Sequence, residues 1–274
     1  MSNNEFGFSK FSDNDFYSNV NKELIDSLDI KSDLKIVDLG CGSGGISKII
    51  TDKLNDVNCV NSSIVAVDSS EISLREAKAN LRSVSDTMIT FVQSRYEEFS
   101  SKIKDKVDLV VLCNAIHYLD DKELVIKDVM KILKPGGRFV FNSSFFDGAH
   151  PEHTLGFYRK WMFKAMRILT KEHKTRPVKA DKIESRVQLN PNQYKDVLEN
   201  CGMEIINTQI REVDVPIDGW LDISGFKDFI EGVMPGVNLD IASKSLQQAV
   251  KDTFEEMKLT FVQRNWMEIV AAKP

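Results

Sequence analysis

Apolar and polar positions along this 274-residue chain follow two different periods. Residues 17–29, YSNVNKELIDSLD, put Val20, Leu24, Ile25 and Leu28 on one helical face. Short, nearly all-apolar runs then alternate with amphipathic ones. LKIVDL at 34–39, SIVAVD at 63–68, MITFVQ at 88–93, VDLVVLC at 107–113 and RFVFNSS at 138–144 read as five strands. GISKIITDKL, SSEISLREAKANL and DDKELVIKDVMKIL read as helices, the second capped by its serines and the third stopped by KPGG at 134–137. Strands that are apolar on both faces and alternate with helices predict an α/β fold, a doubly wound, mostly parallel sheet covered on both sides.

Beyond residue 145 the pattern changes. TLGFYRKWMFKAMRIL at 154–169 is an apolar helix with basic residues interleaved, and NPNQYKDVLENCG at 190–202 is a helix with Pro at its start and Gly at its end. MEIINTQIREVDV and the terminal WMEIVAAK at 266–273 are strand-like, with helices over GWLDISGFKDFIEGV and IASKSLQQAVKDTFEEM between them. The expected organisation is an N-terminal helical cap at 1–29, a ligand-binding core at 30–145, a helical lid insertion at 146–190, and sheet-completing strands at 191–274 with a second helical insertion at about 216–260.

Composition narrows the partners. A net charge of −5 argues against global attraction to nucleic acid. No apolar run reaches the ~18 residues needed to span a membrane, and the polar start MSNNEFGFSKFSDND lacks the apolar stretch of a signal peptide. Cys41, Cys59, Cys113 and Cys201 are scattered without a C-x-x-C pair, so no metal site is legible and a reducing cytoplasm is the expected location.

The chemistry centres on IVDLGCGSGG, where Gly40, Gly42 and Gly45 satisfy G-x-G-x-x-G between a strand and a helix. That pattern normally seats a pyrophosphate on the helix N-terminus. Asp38 would set a second anion beside it, a repulsion on the order of several kcal/mol at partly buried separations. A cofactor bearing a sulfonium and an α-ammonium has the opposite requirement and suits a carboxylate there. Asp68, ending the second strand, stands where such folds hold the ribose hydroxyls.

VDLGCGSGG, IVAVDSS, VDLVVLCNAIHYLDD and LKPGGRFVF, in this order and spacing, resemble the motifs of class I S-adenosylmethionine-dependent methyltransferases over roughly residues 30–145, with WMEIVAAKP at the end. The resemblance implies a Rossmann-like sheet of seven strands, the last antiparallel, and S-adenosyl-L-methionine as cofactor. It implies that Asp38, Gly40, Gly42 and Ser43, with Cys41 in the same turn, surround the methionine part, that Asp68 takes the ribose, that Ser69 lies beside the adenine, and that Asn114 lines the junction after the fourth strand. It departs at FVQSRYEEF, where Arg95 stands in place of an adenine-binding acid. A backbone amide of Arg95 or Tyr96 can serve the adenine instead, and Glu97 or Glu98 can replace the acid.

Methyl transfer is an in-line displacement that needs a general base only when the acceptor arrives protonated. His117, just after the fourth strand, is placed either to act as that base or to pack against the cofactor. Tyr17, His150, His153, Tyr158 and Trp161 are candidates for closing on substrate. The lid is basic: nine Lys/Arg from Arg159 to Lys182 stand against Glu172 and Asp181. Neither an NPPY-type motif nor a PC nucleophile motif follows the fourth strand, which points away from DNA bases. The reading is therefore an enzyme methylating a small, partly apolar metabolite, with O-methylation leading. The alternatives are an acyl group on an acidic carrier protein docked by the basic lid, a nicotinamide-dependent oxidoreductase, and a non-catalytic cofactor-binding module.

Overall fold

The computed structural model describes residues 6–30, 32–59, 61–85, 88–178 and 188–274. Lys179, Asp181 and Lys182 of the basic segment, and part of the expected lid, lie outside the described residues. The elements in chain order are α1 (Ser9–Ser12), α2 (Asp15–Asp26), β1 (Lys35–Leu39), α3 (Gly45–Asp56), β2 (Ser63–Asp68), α4 (Glu71–Asn80), β3 (Ile89–Gln93), α5 (Phe99–Lys102), β4 (Val107–Cys113), α6 (Lys122–Ile132) and β5 (Leu133–Ser143). They continue with α7 (Leu155–Glu172), α8 (Pro191–Asn200), β6 (Glu204–Pro216), α9 (Ile217–Ile223), α10 (Lys227–Val233), α11 (Leu239–Met257) and β7 (Phe261–Ala272).

The seven strands form one sheet in the order β3-β2-β1-β4-β5-β7-β6. β1 pairs in parallel with β2 and β4, β2 with β3, and β4 with β5, while β7 runs antiparallel to β5. The order reverses beside β1, so the carboxyl ends of β1, β2 and β4 flank the switch point where such sheets bind ligands. β5 starts earlier than the sequence pattern implies. KPGG does follow the end of α6, but its backbone is laddered on both sides: Leu133 pairs with Val107, and Gly136 N–H donates to the Lys273 carbonyl at 2.8 Å. β7 likewise begins at Phe261, five residues before the expected 266.

By its internal contacts the chain divides into two units. One comprises Asn19–Ala149, Ile183–Arg211 and Trp266–Pro274, the other Met1–Ser18, His150–Lys182 and Glu212–Asn265. In the first, helices cover both faces of the sheet. Leu24, Ile50 and Leu74 of α2, α3 and α4 pack with Ile36, Ala66 and Leu109 of the strands. On the other face Phe99, Val129 and Leu198 of α5, α6 and α8 pack with Val110, Phe139 and Ile269. In the second unit, α7 carries Phe157 and Trp161 into an aromatic interior shared with Trp220 and Phe254. No helix among the described residues is long and apolar enough to cross a membrane.

Glu268, buried on β7, is held by Arg211 of β6, whose Nε and Nη2 donate to its two oxygens at 3.2 and 3.3 Å. Arg211 also reaches Glu23 of α2 at 2.6 Å. Burial pushes the Glu268 carboxyl up, and Arg211 opposes the shift. Removing the guanidinium strands a buried carboxylate. Arg211→Met should therefore cost about 2 kcal/mol in urea denaturation, less than the ~3–5 of a fully buried pair because the Arg211 side chain keeps 27% exposure.

Candidate functional site

β1 delivers Asp38 to the carboxyl edge of the sheet, and the chain turns there at Gly40 with φ 75°. The turn is fixed to β2, since Gly40 and Cys41 N–H both donate to the Val67 carbonyl, at 2.7 and 2.9 Å. A Cβ on Gly40 would stand 2.7 Å from the Tyr96 hydroxyl, so only glycine fits. The spacing G-x-G-x-x-G points to Gly45 as the third required glycine, but the structure assigns that role to Gly44. Gly44 caps α3 at φ 91° and lies against Ala77 and Leu81, whereas a Cβ on Gly45 would meet open space. Ser43 is half-buried, and its carbonyl accepts from Asn80 Nδ2 at 3.0 Å. Cys41 is buried, and its thiol is pushed up by burial and by the charges of Asp38 and Asp68.

Asp38 is 0% exposed. One carboxylate oxygen, Oδ2, accepts from Ser47 Oγ at 2.6 Å, a residue in the first turn of α3. The other, Oδ1, is buried without a hydrogen-bond partner. Desolvation raises the Asp38 pKa to about 7. The Ser47 bond opposes that shift and the charge of Asp68 adds to it.

Asp68, at the end of β2, accepts from Gly42 N–H at 2.9 Å and from Ser70 N–H at 2.8 Å, one bond to each oxygen. Each carboxylate oxygen has a second lone pair, so both retain an acceptor site. Ser69 is exposed, with its carbonyl bound by Gln93 Nε2. Beyond β3, Ser94 N–H donates to the Asp68 carbonyl at 3.0 Å. Arg95 turns outward: its side chain is 72% exposed and pairs with Glu97 at 3.2 Å, so the Arg95 side chain takes no part in the cradle. Tyr96 turns inward over Gly40, and its phenol is pushed up by burial and by the charge of Asp68.

Beyond β4, Asn114 adopts φ 50° and is buried. Its backbone N–H donates to the backbone carbonyl and to Oδ1 of Asn142, and its Oδ1 accepts from the backbone N–H and hydroxyl of Ser144. Asn142 Nδ2 in turn donates to Asn21 Oδ1 at 2.8 Å. Asn114 Nδ2 is buried without a partner. His117 lies three residues on, half-buried, its ring 4.1 Å from that of Tyr118 and 4.7 Å from that of Phe145. Its Nδ1 is 3.1 Å from Ser143 Oγ.

The residues expected at the substrate all belong to the helical unit. Tyr17 is buried edge-on to Phe8 and Phe11. His150 stacks on Tyr158 with centroids 3.8 Å apart, and its Nε2 accepts from Arg264 Nη1 at 3.0 Å. Burial and the Arg264 charge hold His150 near pKa 3, and hence neutral. Arg264 also reaches the Tyr158 hydroxyl at 3.4 Å. His153 is exposed and bound to Gln263. Trp161 departs from the expectation: it is 1% exposed, and its indole N–H is bound to the Leu246 carbonyl at 3.0 Å. The indole builds the interior of the unit. Sequence reasoning missed Ser47, whose helix register decides whether it reaches Asp38, and Arg264, the inward Tyr96 side chain and the Asn114–Asn142–Asn21 chain, whose partners lie far away in sequence.

A partnerless buried carboxylate oxygen, a partnerless buried amide N–H₂ and a glycine whose Cα face must stay clear occupy the ends of the neighbouring strands β1 and β4. They fit a zwitterionic, cationic amino-acid moiety such as that of S-adenosylmethionine, with Asp38 toward its ammonium.

Comparison with known proteins agrees. A family model described as "Methyltransferase domain" matches residues 30–201. The demethylmenaquinone methyltransferase of Lactococcus lactis is 28% identical over 127 residues, 46% of this chain and 46% of that protein. The chain spans half or less of the length of the curated relatives it matches. Among solved structures, phosphoethanolamine N-methyltransferase 2 of Haemonchus contortus, in complex with S-adenosyl-L-methionine, aligns over 97% of this chain and 56% of that one, with TM-score 0.57 and 16% identity. The [4+2]-cyclase SpnF aligns over 94% and 81%, with TM-score 0.57 and 14% identity. Likeness at this identity carries the fold alone, and a cyclase among the neighbours illustrates that the fold does not fix the reaction.

The Asp38 shift has a direct consequence for stability. Its folded pKa of about 7 lies above the ~3.9 of an unfolded Asp. The stability it confers as a neutral acid is complete below about pH 4 and is lost as pH rises through about 7. Asp38→Asn keeps an acceptor for Ser47 and removes the charge. In thermal melts of the ligand-free protein the variant should melt above the wild type by a margin that widens from pH 5.5 to 8.

Proposed function

Because this chain belongs to the class I S-adenosylmethionine-dependent methyltransferase family, we propose that it transfers a methyl group from S-adenosylmethionine to a small, partly apolar metabolite, with oxygen as the accepting atom. The observation that carries this reading is the buried Asp38 carboxylate, whose Oδ1 has no partner and whose charge is disfavoured until a cation arrives. S-adenosylmethionine, when bound, supplies an electrophilic methyl group on a sulfonium. Asp38 attracts the cationic amino-acid end. Gly40, Cys41, Gly42 and Ser43 let the backbone approach it, and Asn114 supplies the free N–H₂ donor. The remaining lone pairs of Asp68 accept the ribose hydroxyls. Ser69 and the backbone after Ser94, at Arg95 and Tyr96, border the adenine.

A hydroxyl or carboxyl acceptor brings a proton, and His117 is the group that takes it. Within the helical unit His150 stacks on Tyr158 and Tyr17 packs on Phe8 and Phe11, aromatic groups suited to contact an apolar acceptor body. The name of the demethylmenaquinone relative supports an acceptor of that kind. The carrier-protein alternative loses support in the lid itself. Lys160 and Lys164 of α7 both pair with Glu256 at 2.7 Å, so one of the two positive charges that would dock an acidic partner is already offset within the unit. These two lysines hold the Glu256 carboxyl near pKa 2. The four cysteines are all free thiols, in keeping with a cytoplasmic site of action.

Calorimetry tests the cofactor. The protein should bind S-adenosylmethionine and its demethylated product and ignore NAD, and the reverse preference would sink the assignment. Asp38→Asn, more stable without ligand, should weaken cofactor binding by at least ~1 kcal/mol, the loss of one charge-assisted contact. A screen with radiolabelled methyl donor across phenols, carboxylic acids and amines identifies the acceptor. With that acceptor, His117→Ala should lower turnover by about 10²–10⁴ while leaving cofactor affinity unchanged. Equal loss in both would make His117 a packing residue.

A further inference from the structure

We propose that Ser143 is a positioning residue that holds His117 in its Nδ1–H tautomer and so makes Nε2 the nitrogen that takes the acceptor's proton. The proposal rests on the reading of His117 as the general base. Ser143 ends β5 and is 0% exposed. Its hydroxyl oxygen has three neighbours: Phe145 N–H at 3.0 Å, the Phe145 carbonyl at 3.2 Å and His117 Nδ1 at 3.1 Å. The roles at these contacts follow from proton count. A backbone N–H only donates and a carbonyl only accepts, and a serine hydroxyl has one proton and two lone pairs. If that proton goes to the Phe145 carbonyl, both lone pairs are open, and Phe145 N–H and His117 Nδ1–H fill them. All three contacts are then hydrogen bonds. If the proton instead goes to His117 Nδ1, the contact with the Phe145 carbonyl becomes oxygen against oxygen. The first arrangement is the one the geometry favours, and it puts the imidazole proton on Nδ1.

This is not the form a histidine takes by default, because an isolated neutral imidazole side chain in water favours the proton on Nε2. Reversal by a buried acceptor at Nδ1 is the way proteins choose between the two nitrogens. The acceptor here is unusually well fixed. Residues on either side of Ser143 are tied to Asn114: Asn142 accepts from its backbone N–H, and Ser144 donates to its Oδ1 at 2.9 and 3.1 Å. The ring plane of His117 is set by Tyr118 and Phe145. Asn114, which fits the cofactor, thus also fixes the strand end that orients the base. In the proton transfer the acceptor's O–H bond breaks and an Nε2–H bond forms. His117 becomes imidazolium, its Nδ1–H still donates to Ser143 Oγ, and the Ser143 hydroxyl still donates to the Phe145 carbonyl. The proton passes to solvent after the methylated product leaves.

The tautomer is measurable without knowing the acceptor. Two-bond ¹⁵N–¹H correlation spectra of the labelled full chain with S-adenosylhomocysteine at neutral pH, with His117→Gln to assign the signal, should show His117 protonated at Nδ1 and unprotonated at Nε2. Ser143→Ala should move the population toward Nε2–H, and Ser143→Thr should restore the wild-type form. Calorimetric affinity for S-adenosylhomocysteine should stay unchanged in both. A wild-type His117 protonated at Nε2 would overturn the proposal even if Ser143→Ala failed to fold, and so would a Ser143→Ala tautomer identical to wild type. With the acceptor that the screen returns, Ser143→Ala should lower kcat by at least about tenfold, recovered by Ser143→Thr, with KM for S-adenosylmethionine unchanged. An unchanged kcat would overturn the catalytic role. If the protein binds the cofactor and shows the stated tautomer but methylates nothing, the functional reading fails and the placement of the proton stands.

Discussion

A carboxylate fully removed from water at the end of a central strand is the constraint around which this fold is arranged. Burying Asp38 among β-strands opposes its ionisation, and one serine hydroxyl from α3 is a partial remedy. Everything nearby either tolerates or exploits that unfinished solvation. Gly40 leaves room for the Tyr96 hydroxyl, Gly44 lets the start of α3 lie against Ala77 and Leu81, and Ser47 in the first turn of α3 reaches Asp38. Asp68 adds like charge from β2 instead of relieving it. A cationic ligand completes the set. The protein without its ligand bears a local instability that binding removes, the usual relation between a functional polar group and the stability of the fold around it.

Much of this was legible in the sequence because the signals are local. The apolar runs of β1 and β4 report burial on both faces, and the alternation of strands with helices fixes the parallel core. Asp38 and Asp68 stand out because an acid at the end of an apolar run has few structural reasons to be there. Signals failed where an element owes its form to distant partners. KPGG carries turn chemistry, yet it belongs to β5 because Val107 and Lys273 ladder it from both sides. The start of β7, with Gln263, Arg264 and Asn265, looks like loop in composition, yet Arg264 is buried against His150 and Tyr158. Gly45 satisfied a spacing rule that φ reassigns to Gly44.

Side-chain direction was the least legible quantity. Arg95 and Tyr96 are adjacent, and nothing in their order says which turns in. The pairing of Arg95 with Glu97 draws the cation to solvent, which leaves the phenol to close over Gly40. Trp161 shows the converse. An aromatic residue on a basic, apolar helix suggests a substrate wall, but an indole N–H needs an acceptor when buried, and the Leu246 carbonyl provides one. The residues left for contact with a ligand are those whose polar atoms the fold does not already satisfy.

That criterion also separates the histidines. His150 accepts from Arg264, and burial together with the Arg264 charge holds it near pKa 3, neutral at physiological pH. His153 is bound at the surface to Gln263, itself bound to Asp214, a chain that ends in solvent. His117 differs in where its fixed contact lies. Ser143 engages Nδ1, from a strand end tied to Asn114. A base needs one nitrogen anchored and the other open to exchange, with the ring unable to rotate between them. Of the three, His117 is the one held at Nδ1, with its ring plane set by Tyr118 and Phe145 and its supporting strand end tied to Asn114. On the proposed function, the orientation of the base and the binding of the cofactor share the same asparagine. A substitution at Asn114 would loosen both at once, even though its side chain never touches the imidazole it helps to hold.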